Sequence, residues 1–138
     1  MIIDASNAIL GRMAVFSAKK LMEGEKVDII NAEKAVISGS PESVKQRFRE
    51  KRARGDPIHG PFYPKMPDQI VRRAVRGMLP YKKTTGRDAY KKLKVYIGTP
   101  ENVKGEAVRP ESISADRLKC KRITINEISK ELGANIRW

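Results

Sequence analysis

The chain has 138 residues, 40% of them hydrophobic, with a formal net charge of +13 and an isoelectric point near 10. That length suits one domain burying roughly two-thirds of its unfolded surface, and the apolar fraction excludes wholesale disorder. No apolar run approaches the roughly 18 residues of a membrane span, the start lacks the pattern of a signal peptide, and a lone cysteine, Cys120, excludes an internal disulfide and points to a reducing, cytoplasmic setting.

Met1 to Asp4 is short, apolar and β-branched, which predicts a buried strand. After a turn through Ala5-Ser6-Asn7, Leu10, Met13, Ala14, Ser17, Ala18 and Leu21 keep the spacing of a helix with one narrow buried face, and Gly24 stands where a C-terminal cap belongs. Val27 to Asn31 predicts a second strand and Ala35 to Ser38 a third. Strand, helix and strand within about 30 residues make a βαβ unit with a parallel pair. Residues 1–40 hold five cations and five acids, so this part reads as scaffold.

The charge is concentrated further on. Residues 41–94 hold sixteen cations against five acids, whereas residues 95–138 hold eight against six. A solubility device would spread its charge; a block of this kind is the footprint of a polyanion-binding surface. Ser40 and Pro41 start a helix that runs to about Ala53. Its strong apolar anchors are Val44 and Phe48, and around them stand Lys45, Arg47, Arg49, Lys51, Arg52 and Arg54. No Walker pattern follows the preceding glycine, so a nucleotide loop is not expected there. Gly55 to Pro67 carries four prolines and two glycines, a stiff arm whose Phe62 and Tyr63 are placed either to stack on bases or to pin the arm to the protein. His59, the only histidine, has no partners at metal-ligand spacing, and no metal or cofactor is expected.

A helix over residues 69–79 places Ile70, Val71, Ala74, Val75 and Met78 on one side and Gln69, Arg72, Arg73 and Arg76 on the other. Pro67 suits its first position and Pro80 ends it. Lys82, Lys83 and Arg87 lie beyond, Thr85 and Asp88 have the spacing of a capping box, and Ala89 and Leu93 face inward while Lys91 and Lys92 face out. Lys94 to Ile97 predicts a fourth strand. The stretch to about Lys121 reads as loop with little local order. Thr124 and Glu127 then cap a last helix marked by Ile125, Ile128 and Leu132 and closed by Gly133, and Trp138 needs somewhere to dock.

Read together, Leu10-Gly11-Arg12, Asn31-Ala32-Glu33-Lys34, Ser38-Gly39, Gly60-Pro61-Phe62, Pro67-Asp68, Val75-Arg76-Gly77-Met78-Leu79-Pro80 and Leu93-Lys94-Val95-Tyr96 carry a resemblance. They resemble the large-subunit ribosomal protein thirteen family in its archaeal form, in register over residues 2–100. Tyr81 departs from the pattern, standing where relatives often carry histidine or lysine. The resemblance implies an α/β protein, three layers α/β/α, with a small, mainly parallel four-stranded sheet and peripheral helices. It implies a structural role in the large ribosomal subunit, with ribosomal RNA and neighbouring ribosomal proteins as partners, no membrane and no small-molecule substrate.

A single domain over 1–138 is expected, with 1–40 as βαβ scaffold, 41–94 as the RNA-facing part and 101–138 as a tail with a C-terminal helix. The foremost RNA contacts are Arg72, Arg73 and Arg76, then Lys82, Lys83 and Arg87, then Arg47, Arg49, Lys51, Arg52 and Arg54, with Lys65, Lys91 and Lys92 after them. Arginine suits the task because its planar fork donates two hydrogen bonds to one phosphate and stacks on bases. Arg12 is placed either on RNA or within its own fold. The alternative, a small α/β enzyme acting on a phosphorylated substrate, lacks a nucleophile–base pair, a metal cluster and a glycine-rich phosphate loop, so no catalytic residue is assigned.

Overall fold

The computed structural model of the chain describes residues 1–135 and 138. Strand β1 (Ile2–Asp4) leads into α1 (Leu10–Met22), β2 (Val27–Ile30), β3 (Val36–Ser38) and α2 (Pro41–Ala53). The proline arm then reaches α3 (Pro67–Met78), α4 (Thr84–Lys91) and β4 (Leu93–Val95). Strands β5 (Ala107–Val108) and β6 (Arg122–Thr124) and helix α5 (Ile125–Glu131) complete the chain.

The main sheet has the order β4-β2-β1-β5, and its three pairings are all parallel. The fold is therefore α/β with a small parallel four-stranded sheet and peripheral helices, as expected, but one strand differs. The third predicted strand, β3, leaves the sheet and pairs antiparallel with β6. Asn31 takes the left-handed conformation (φ 55°) and a 3-10 turn over Ala32–Lys34 follows, which swings the chain out of the sheet after β2. Its place is filled by β5, from the stretch expected to be loop: Ile2 and Ile3 pair with Ala107 and Val108. That stretch also buries Ile113 and Ala115. It was illegible because β5 is two residues long and exposed along the sheet edge.

One main core draws on all three parts of the chain, with a small second cluster of Ile9, Val36 and Ala115 beside it. Ile3, Met13, Leu21, Val27 and Ile29 of the first third join Val44, Phe48, Ile70, Val71, Val75 and Leu79 of the basic third and Ile123, Ile125 and Ile128 of the last. Helix α3 lies against α1 and β4. The thin stripe of α2 is as read, with only Val44 and Phe48 buried. Met78 is half-exposed rather than inward, because α3 ends at that residue. The cap expected from Thr85 is absent: the N-cap is Lys83, two residues earlier, so Thr85 lies inside α4. At α5 the Glu127 N–H does donate to Thr124 Oγ1 at 3.3 Å, and Gly133 (φ 83°) follows its end. Trp138 docks on this domain, its indole N–H donating to Asn126 Oδ1 at 2.9 Å.

Candidate nucleic-acid interface

Helix α3 divides its faces more sharply than α1, α2 or α4, with Ile70, Val71 and Val75 buried and the arginines opposite. The structure adds what the spacing left out: each arginine stacks on a tyrosine from another segment. The Arg72 guanidinium lies 4.8 Å from the Tyr90 ring centroid, Arg73 lies 4.8 Å from Tyr63, and Arg76 lies 4.4 Å from Tyr81. Tyr81 and Tyr90 themselves meet edge to face at 5.4 Å. Aromatic stacking restrains the guanidinium plane while leaving its N–H edges free to donate. Among the described residues, none of the three arginines forms a salt bridge with a carboxylate of this chain.

The three are not equally open. Arg76 is exposed, while Arg72 and Arg73 are half-buried, and Arg72 Nε is enclosed with no hydrogen-bond acceptor among the described residues. Glutamine at Arg72 therefore disturbs packing on Tyr90 as well as charge.

The proline arm is pinned at Tyr63. Its ring packs against Phe48 of α2 at 5.7 Å, and Lys51 stands 5.5 Å from its centroid on the α2 side. Arg52 donates to the Tyr63 carbonyl and Arg73 to that of Phe62. The two readings of the aromatics thus divide: Tyr63 anchors, whereas Phe62 is left 67% exposed. Burial pushes the Lys51 ammonium below its ordinary pKa, and the like charges of Arg47, Arg73 and Arg54 push it the same way. Lys51 thus sits among like charges that are not offset by carboxylates around it.

Two grooves join on Arg73. One, of about 280 Å³, is lined by Lys51, Arg54, Pro61, Tyr63 and Arg73. The other, of about 580 Å³, is lined by Arg73, Arg76, Gly77, Leu79, Pro80, Tyr81, Lys82 and Lys83. Among the described residues, neither has an acid in its wall. Gly86 holds the second groove's far side close: a Cβ there would stand 2.1 Å from the Pro80 carbonyl oxygen, so α4 packs directly on the turn. Arg87 braces that turn by donating to the carbonyls of Tyr81 and Lys82.

The remaining cations are distributed otherwise. Arg49 points away from this face and pairs with Glu131 of α5 at 2.8 Å. Lys91 and Lys92 line a separate depression with Lys26, Asp28, Asp88 and Lys94, and Lys92 Nζ donates to the Gly24 carbonyl. Lys65 is half-buried in the arm, and Arg12 lines an apolar groove on α1 with Val15, Phe16 and Ile113. The tyrosine partners escaped the sequence reading, although three of the chain's four tyrosines fall between residues 63 and 90. Among the described residues no group of three or more His, Cys, Asp or Glu is disposed to hold a metal. No described helix is long and apolar enough to cross a membrane.

The sequence profile of the family described as ribosomal protein L13 matches residues 1–102. The large ribosomal subunit protein uL13 of Methanopyrus kandleri is 47% identical over 136 residues, covering 96% of this chain and 86% of its own length. Its counterpart in Methanosarcina barkeri is 46% identical over 136 residues, with 96% and 97% covered. That of Natronomonas pharaonis is 43% identical over 139 residues, with 100% and 94% covered.

Proposed function

The chain belongs to the ribosomal protein L13 family, and from that premise we propose that its joined cationic grooves are the surface that seats it on ribosomal RNA. It is a structural constituent of the large ribosomal subunit rather than an enzyme. Its partners are large-subunit ribosomal RNA and neighbouring ribosomal proteins, and its place is the ribosome in the cytoplasm.

One observation carries the assignment of the surface: cations from α2 and its C-terminal cap, α3 and the following turn share two grooves without a carboxylate among the described residues of either wall. Most contacts to folded RNA go to phosphates and ribose, because the deep major groove of A-form helices is closed to side chains. Arg73, Arg76, Lys82, Lys83, Lys51 and Arg54 are the residues assigned to phosphate. Arg47 adds to the field beside Lys51. Arg72, Arg52 and Arg87 position the tyrosine, the arm and the turn on which the others depend. Arg49 is held back by Glu131, and Lys91 and Lys92 form a secondary contact at most.

Replacing Arg76, Lys82 and Lys83 together with glutamine tests this, because all three side chains are exposed and none is part of the core. The far-UV spectrum is expected to be unchanged. Filter binding to large-subunit ribosomal RNA is expected to weaken at least tenfold, the loss of about three charge-assisted contacts at a modest contribution each. Unchanged affinity with an unchanged fold would remove the surface from its proposed role.

A further inference from the structure

Gly77 is a glycine that the fold does not ask for. It lies in the last turn of α3 with no left-handed backbone angle, and a Cβ built on it meets nothing within 4 Å beyond its chain neighbours and its own helix backbone. Gly86 and Gly55 are different, since a Cβ there would collide with backbone at 2.1 and 2.4 Å. Glycine is the poorest helix former after proline, so alanine at 77 would favour α3. The residue nevertheless lines the larger cationic groove, between Arg73 and Arg76 on the helix and Lys82 and Lys83 on the turn. A side chain missing where the protein has room for one leaves that room to something else, and glycine within a helix is the means of bringing a foreign backbone close.

The lining says what kind of group fits. Its charged side chains are Arg73, Arg76, Lys82 and Lys83, donors only; Leu79 is buried and the Tyr81 ring is covered on one side by Arg76. Apart from the Tyr81 hydroxyl, no lining side chain offers an acceptor with which to read a base edge. We infer that the wall at Gly77 is where one sugar–phosphate strand of the RNA passes against the α3 backbone, its phosphates held between the two arginines and the two lysines. This rests on the ribosomal RNA reading above and assigns that surface its point of closest approach.

The test is Gly77→Ala in the full chain, with Gly11→Ala as control, since a Cβ at Gly11 on α1 also meets nothing within 4 Å and that residue lines a different groove. Both variants should fold, with Gly77→Ala melting about 3 °C higher. Filter binding to large-subunit ribosomal RNA, followed over a range of salt, should show Gly77→Ala weaker by about tenfold, the loss of one strong contact. Its dependence of log affinity on log salt should be shallower by about one, the mark of one excluded phosphate. Gly11→Ala should bind as the wild type does. Wild-type affinity for Gly77→Ala would overturn the inference, as would a variant that fails to fold, because the glycine would then be structural. A loss of affinity with an unchanged salt slope would put a base rather than a phosphate at Gly77 and overturn it as well. If Gly77→Ala binds normally while the Arg76, Lys82 and Lys83 variant does not, only the inference about Gly77 fails.

Discussion

At the residue scale, the informative finding is that Arg72, Arg73 and Arg76 are each held by a tyrosine. A long free side chain loses rotamer entropy when it grips a phosphate, and stacking removes part of that cost beforehand. Tyr81→Leu is therefore expected to lower RNA affinity about two- to fivefold, the range of an exposed cation–π contact. Its salt slope should be unchanged, because no phosphate contact is lost. Tyr81→Phe should keep nearly all the affinity, since the ring rather than the hydroxyl supports Arg76. A Phe variant as weak as the Leu variant would show that the ring is not what matters. The arginines were legible because a period near 3.6 sorts Ile70, Val71 and Val75 from Arg72, Arg73 and Arg76 within one helix. Their tyrosines were not, because Tyr63, Tyr81 and Tyr90 arrive from three separate segments and nothing local marks the meeting.

At the element scale, the tail strand β5 depends on a polar latch. Asp4 at the end of β1 accepts from Arg109 just past β5, from the Ser6 N–H at 2.9 Å and from Asn31 Nδ2 at 3.1 Å. Burial alone would raise the carboxyl pKa, but these donors outweigh it and lower it from 3.8 to about 2. Above pH 3.8 Asp4 is ionised in the folded and the unfolded chain alike, and the latch contributes in full. Between 3.8 and about 2 the unfolded chain takes up a proton that the folded chain refuses, so this stability is lost as the pH falls through that window. Urea unfolding at about pH 5 and about pH 2.5 should show Asp4→Asn less stable than wild type at the higher pH by about 1–3 kcal/mol, the cost of weakened partners in a part-buried network. The gap should narrow at the lower pH; a gap that stays constant would contradict the latch. Long elements with a clear period, α1, α2 and α3, could be read almost to the residue. The short ones could not: β5 lacks any apolar alternation, and β3 looked like a sheet strand until the left-handed Asn31 turned it aside.

At the scale of the molecule, the neutral first third and the basic middle are not separable pieces. They share one core, and the cationic segment is held by residues it buries against α1 and β4. The surplus charge is kept outward because the inner faces of α2 and α3 take the available apolar contact, leaving the arginines and lysines with few anions of their own. The sequence distribution of charge, +11 over residues 41–94, anticipated this face. It did not anticipate that Arg49 would be neutralised by Glu131, since that pairing needs α5 to fold back onto α2.

The most direct test of a single phosphate-binding surface is the salt dependence of binding to large-subunit ribosomal RNA. If about eight phosphates are neutralised in a duplex-like site, log affinity should fall against log salt with a slope near −7. In a variant with Arg73, Arg76, Lys82 and Lys83 all changed to glutamine, that slope should become shallower by about three. A wild-type slope near zero, or a slope that the four substitutions leave unchanged, would contradict the proposal that these grooves hold the RNA.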